Sequence, residues 1–215
     1  MIMKFFIIVF IFFNIVFADT IYIDTNIKNS EILSKSEIYI DNTQSLKIED
    51  IKKIKFNKND KKLLGFGYSP DFDVWVKFTL KNNTKHDIEK IIEYENPLTT
   101  DIEFYESGKL VLKDGLFHIS KFRNTLNPIL KIKLLKGEEK TYYIKTHSNI
   151  TTLIIQVNLL DIENFYTNEI KHQVILSLFF GAMAVLALYN LFIFFFTKDM
   201  SYFFYVLYIF GIILH

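Results

Sequence analysis

From Val174 to Phe196 the chain runs 23 residues without a charge, VILSLFFGAMAVLALYNLFIFFF. A helix of that length spans the roughly 30 Å hydrocarbon core of a bilayer with some tilt. As a soluble core helix it would need apolar partners on every side, and a 215-residue chain has little protein to supply them. The segment therefore reads as a transmembrane helix. Five residues later Tyr202 to Leu214 resumes an uncharged, aromatic run of 13 residues, too short for a span of its own. The expectation is a chain cut inside a second transmembrane helix.

A second apolar run, Phe5 to Phe17, follows Lys4 and ends at the small residue Ala18. Thirteen residues fall short of a span, and the order of positive, apolar and small residues is that of a secretory signal. Removing these ends changes the composition. Of 23 phenylalanines 15 lie in them, whereas 23 of 25 Lys/Arg and 23 of 24 Asp/Glu lie between. The middle is thus formally neutral, with no basic excess for nucleic acid. At about 150 residues it is large enough to bury a core unaided, and with no cysteine it does so without disulfides.

That middle reads as strands. In Val74 to Leu80 the apolar Val74, Val76, Phe78 and Leu80 share one face while Trp75, Lys77 and Thr79 take the other. Further strands are expected at 88–94, 101–105, 109–112, 129–135, 141–146 and 152–160. Their breaks fall at Asn96-Pro97, Ser107-Gly108, Asp114-Gly115, Asn127-Pro128 and Lys136-Gly137. Ser107-Gly108 reads as a tight hairpin, hence antiparallel pairing, and six or more such strands bury their faces by stacking as two sheets. The lysine-rich SLKIEDIKKIKF stretch fits either a turn of helix or an irregular strand.

Candidate site residues each carry two readings. Trp75, the sole tryptophan, suits stacking on a sugar ring, or it plugs the core. Arg123, the sole arginine among 24 lysines, offers a five-donor fork to a ligand carboxylate or hydroxyls, or it pins a loop through an internal carboxylate. His118 lies near enough in sequence to join it. The histidines have no metal-ligand spacing, Asp71 and Asp73 are too few for a calcium loop, and no phosphate-cradling or nucleophile-elbow motif occurs. No metal, cofactor or catalytic residue is expected. In the first span, the amide of Asn190 suits an interhelical contact.

The order of parts resembles a known family. The signal-like leader, VWVKFTLKN, Gly115 and Arg123, the late YYIKTHS strand, and FFGAMAVLALYNLFIFFFTKDMSYFFYVLY resemble the bacterial seven-transmembrane receptors with diverse intracellular signalling modules. Gly181, the Tyr189-Asn190 pair and the Lys198-Asp199 turn resemble the start of that family's membrane unit, with Gly181, Tyr189 and Asn190 as helix-packing residues. The resemblance implies an all-β jelly-roll-like sandwich, similar to carbohydrate-binding modules and periplasmic over residues 19–172, followed by transmembrane α-helices in the inner membrane.

The expected organisation is a signal peptide over 1–18, a sandwich over 19–165, a connector over 166–173, a first span over 174–196, a cytoplasmic turn over 197–201 and a second helix from 202. DIENFYTNEIKH, without proline or glycine, is expected to run into the first span as a stiff rod. The resemblance further implies a small, carbohydrate-like ligand, the lipid bilayer as surroundings, homodimerisation through membrane and output regions as an option, and a kinase or cyclase output beyond residue 215. The rival reading is a membrane-anchored structural or adaptor protein whose sandwich binds a protein or the cell wall.

Overall fold

The computed structural model describes residues 20–24, 29–121 and 123–214. The expected signal peptide lies outside them. The chain forms two compact units, one up to Leu160 and one from Asp161 onward.

The first unit is a sandwich of short strands: β1 (Thr20–Ile23), β2 (Asn29–Glu31), β3 (Glu37–Asp41), β4 (Asn57–Lys58), β5 (Leu64–Tyr68), β6 (Asp73–Asn82), β7 (Ile88–Tyr94), β8 (Asp101–Glu106), β9 (Lys109–Asp114), β10 (Ile129–Leu134), β11 (Glu139–His147), β12 (Thr152–Ile155) and β13 (Val157–Asp161). A seven-stranded sheet has the order β4-β3-β6-β11-β8-β9, with β1 added parallel to β6. A four-stranded sheet, β10-β7-β13-β2, faces it, and β12 pairs with β5 in a short ribbon. This is the expected jelly-roll-like sandwich.

Strand β6 organises the larger sheet. One of its edges takes β11 along nearly its whole length, from Val74 to Lys81. The other edge is shared end to end by β3, opposite Asp73–Lys77, and β1, opposite Thr79–Asn82. Its apolar face, Val74, Val76, Phe78 and Leu80, meets Tyr142 and Ile144 of β11, Phe104 of β8, and Ile92, Leu134, Val157 and Leu159 of the facing sheet in the main core. Ser107 and Gly108 both take positive φ, 50° and 81°, and close the β8–β9 hairpin as expected.

The undecided lysine-rich stretch is a single helical turn, α1 (Ile48–Ile51), followed by β4. It lies against the outer face of the larger sheet. There Ile48, Ile51 and Phe56 bury Trp75, Tyr105 and Tyr143 in a second cluster. Around Trp75 the sheet is therefore covered on both faces. This corrects the stacking role considered for Trp75, whose side chain is fully buried and offers no ring to a ligand from solvent. A second correction concerns the single strand expected over 152–160. The chain changes sheets at Gln156, so that β12 joins the ribbon and β13 the four-stranded sheet.

In the second unit α2 (Ile162–Thr197) is one helix of 36 residues, long and apolar enough to cross a membrane. It ends where Lys198 turns left-handed, φ 58°, and its N–H bonds the carbonyl of Phe194 at 2.8 Å. Asp199 then accepts the Ser201 N–H at 2.9 Å and starts α3 (Met200–Leu214). The two helices pack through Ala187, Val206 and Ile209, flanked by Met183, Leu191 and Ile213, with Phe194 and Phe203 rings 5.4 Å apart.

The expected packing residues are not on that seam. A Cβ at Gly181 would meet no neighbouring atom within 4 Å, and Tyr189 is exposed. Asn190 donates to the Leu186 carbonyl one turn back in its own helix, at 2.8 Å. Small Ala187 admits α3 instead, which is why the seam follows residues 183, 187 and 191, one helical face at i, i+4 and i+8.

The buried Trp75 yields a prediction. Trp75→Ala should destabilise the sandwich by about 3–5 kcal/mol, as for other large-to-small core changes, in denaturant unfolding of the detergent-solubilised chain. An unchanged midpoint would place the indole outside the core.

Candidate ligand cleft

Beyond the reach of α1, the outer face of the larger sheet is charged. Strand register fixes its layout, because outward side chains alternate along each strand and line up across strands about 4.8 Å apart. One row runs Asp73 on β6, His147 on β11 and Asp101 on β8. The next runs Trp75, Lys145, Glu103 and Lys113, on β6, β11, β8 and β9. Together with Gln44 and His118 these charged side chains line a cleft of about 300 Å³.

Opposite charges meet throughout. Lys145 Nζ lies 2.9 Å from Asp73 Oδ2 and 5.5 Å from the centroid of the Trp75 ring beneath it. Lys113 Nζ lies 3.2 Å from Glu103 and 3.9 Å from Asp101. His118 Nδ1 sits 2.7 Å from Asp101 Oδ1; an ionised carboxylate only accepts, so this nitrogen carries the hydrogen. His147 Nδ1 is 2.9 Å from Asp73 Oδ1, yet the atom is buried with no partner in hydrogen-bond geometry.

Burial alone would raise the Glu103 carboxyl. The Tyr105 hydroxyl, donating at 2.6 Å, and Lys113 outweigh it and hold the carboxyl below its ordinary range. Asp41, at the neighbouring end of β3, behaves alike: burial raises it, but bonds from Thr43 and Leu46, with Lys145 nearby, leave it lowered.

His118 reaches the cleft because of the loop after β9. Gly115 has φ 128°, and a Cβ there would come within 2.5 Å of the Thr100 carbonyl oxygen. Only glycine lets the loop lie so close, with Leu116 N–H bonded to Thr99 O at 2.9 Å and Phe117 N–H to Thr100 O at 3.2 Å. Arg123 fastens the far end. Its Nη1 bonds buried Asp114 Oδ1 at 3.2 Å, its Nε the Thr125 carbonyl at 3.1 Å, and its Nη2 the Leu126 carbonyl.

Of the three ligand residues expected from sequence, the structure therefore brings only His118 to the cleft. Trp75 is its covered floor. Arg123 lies outside this cleft, pins the loop, and lines a separate pocket of about 280 Å³ together with Asp114 and Lys131. Asp101, Glu103, Lys113 and Lys145 carry no motif in the sequence, and Asp73 and His147 stand out there only as metal-ligand types at spacings that do not fit a metal. Their signal was present as charges two apart on strands, Asp101 with Glu103 and Lys145 with His147, a pattern that alone reads as a solvated face.

A β-sandwich in one chain with a helix long and apolar enough to cross a membrane fits a membrane protein, and two family models give its class. Residues 34–161 match the family model 7TMR-DISM extracellular 2, and 172–215 match 7TM diverse intracellular signalling. The chain belongs to the seven-transmembrane receptors with diverse intracellular signalling modules. No curated protein sequence matches it. Among solved structures it is similar to a β-glucosidase from Kluyveromyces marxianus in complex with glucose, at 10% identity and TM-score 0.35, over 56% of this chain and 16% of that one. It is also similar to a family 35 carbohydrate-binding module from Clostridium thermocellum, at 11% identity and TM-score 0.29, over 62% of this chain and 98% of that one. A third likeness is to a family 35 module from Paenibacillus barcinonensis, at 9% identity and TM-score 0.26, over 60% and 97%.

Two outcomes are expected. Arg123→Ala leaves buried Asp114 without its cation, with only the Gly115 and Ser120 N–H donors, so it should cost about 3 kcal/mol and speed amide exchange in the loop after β9, read by hydrogen-exchange mass spectrometry. Because Glu103 and Asp41 titrate lower when folded than unfolded, their contribution is complete above the ordinary carboxylate value and is lost as pH falls through the folded one. The thermal midpoint should thus fall below about pH 4.5, and Glu103→Gln should shrink that acid loss while lowering the neutral plateau.

Proposed function

We propose that this chain is the sensory part of a bacterial inner-membrane receptor. Its sandwich senses a small polar ligand of sugar size in the periplasm and relays the event through α2 and α3 to a cytoplasmic output. The observation that carries this reading is the cleft. Seven charged or titratable side chains from four strands and one loop converge on a cavity of about 300 Å³ while the sandwich core is complete without them. That volume is at the lower end of the range for small-molecule sites.

The domain acts by binding; the sandwich ends at β13 rather than at 165, and the stretch 166–173 expected as a connector belongs to α2. Binding moves the membrane helices only if the ligand prefers one of two arrangements of the unit. The chain passes from β13, ending at Asp161, directly into α2, starting at Ile162.

A second reading, a protein-binding adaptor, is favoured by one observation. Near the cleft the exposed Leu98, Phe117, Ile119 and Ile150 stand on loops tied together by Thr151 Oγ1 to Leu98 O at 2.8 Å and Phe117 N–H to Thr100 O. Exposed apolar loops of this kind mark protein contacts.

Thermal-shift screening of the detergent-solubilised chain against sugars, nucleosides, organic acids and amino acids separates the two. A sensor should be stabilised by at least one class, as mass action requires of a native-state ligand, and Glu103→Gln should reduce the shift. Silence in every class would favour the adaptor.

A further inference from the structure

We propose that the cleft selects a small zwitterion, of the α-amino acid type, over a neutral sugar. The proposal rests on the reading of this cleft as the ligand site and specifies what the site recognises.

Three carboxylates, Asp73, Asp101 and Glu103, face two ammonium groups, Lys113 and Lys145, with both signs represented in neighbouring rows. A ligand settling here takes water from all five. A neutral polyol returns only uncharged donors and acceptors, whereas an ammonium and a carboxylate return charge-assisted bonds, shorter and stronger, to partners of opposite sign.

The pairing also gives the ligand a direction. Lys145 and Asp73 form a closed pair at the floor, with side chains 22% and 4% exposed. Lys113, at 41% exposed, is the more open ammonium, and it alone serves both Asp101 and Glu103. Asp101 and Glu103 thus share one mobile ammonium, beside His118 Nδ1 on Asp101 and the Tyr105 hydroxyl on Glu103; a ligand ammonium settles on this edge while Lys113 swings to the ligand carboxylate. His118, 52% exposed and hydrogen-bonded to Asp101, borders the same edge from the loop.

Aromatic stacking, the usual hold on a sugar ring, finds little here: among the described residues no Phe, Tyr or Trp lines the cleft, and Trp75 lies covered beneath Lys145. The volume admits an amino acid or a dipeptide.

The test is thermal shift of the full detergent-solubilised chain with each L-amino acid and with alanyl-alanine, against glucose as the neutral comparator. A stabilising zwitterion is then compared with its N-acetyl derivative, which lacks the cation, and its amide, which lacks the anion. Each derivative should need at least tenfold more ligand for the same shift. Lys113→Met should weaken the parent zwitterion about tenfold, with each shift read against the variant's own unliganded midpoint so that any change in folding stability drops out.

Equal shifts from parent and derivatives, or stabilisation by glucose with no zwitterion active, would overturn the proposal and leave the small-molecule site standing. Silence from every amino acid and sugar would overturn both.

Discussion

Burial of β6 on both faces is the constraint on which the rest depends. A strand at the centre of one sheet of a sandwich ordinarily shows its second face to water, and here the α1 turn removes that freedom by laying Ile48, Ile51 and Phe56 on Trp75. The cover stops short. Past Trp75 the same outward positions carry Asp73, His147 and Lys145, and the edge of the apolar cover becomes one wall of the charged cleft. Cover and cleft are consecutive stretches of a single sheet face, divided by where a short helix ends.

The loop after β9 completes the cleft by a different economy. Gly115 contributes only the absence of a side chain, and Arg123 contributes a fork tied to Asp114 and to the Thr125 and Leu126 carbonyls. Between these two fixed points His118 is held over Asp101. The residue type that stands out most by rarity therefore acts one step removed from the site, through the shape of the loop.

How far this was legible in the sequence follows from which interactions are local. The alternation of Val74, Val76, Phe78 and Leu80 stated a strand and its core face, and Ser107-Gly108 stated a hairpin, because both depend on neighbours in the chain. The role of Trp75 was undecidable, since a covered outer face depends on a segment some 25 positions upstream whose pattern suited helix and strand alike. β5 was missed because Gly65 and Gly67 occupy alternate positions of a five-residue strand and erase its pattern. The break at Gln156 carries no glycine or proline; it is made by tertiary bonds, with Glu95 N–H on the Gln156 carbonyl at 3.0 Å and the Gln156 amide on the Glu95 carboxylate at 2.5 Å. The cleft was unread for a related reason: strand register, which sets Lys145 beside Glu103 and His147 beside Asp101, is not a property of any one strand.

Lys145 joins the charged cleft to the covered cluster beneath it, as the Tyr105 hydroxyl does through Glu103. Its ammonium lines the cleft, and it also stands 5.5 Å above the only indole in the protein, an indole shielded from solvent. Whatever draws that ammonium toward an incoming anion or pushes it back onto Asp73 changes the electric field across Trp75. The sandwich thus carries a built-in optical reporter, one tryptophan with no other to obscure its emission, placed directly under the charges that a ligand would rearrange.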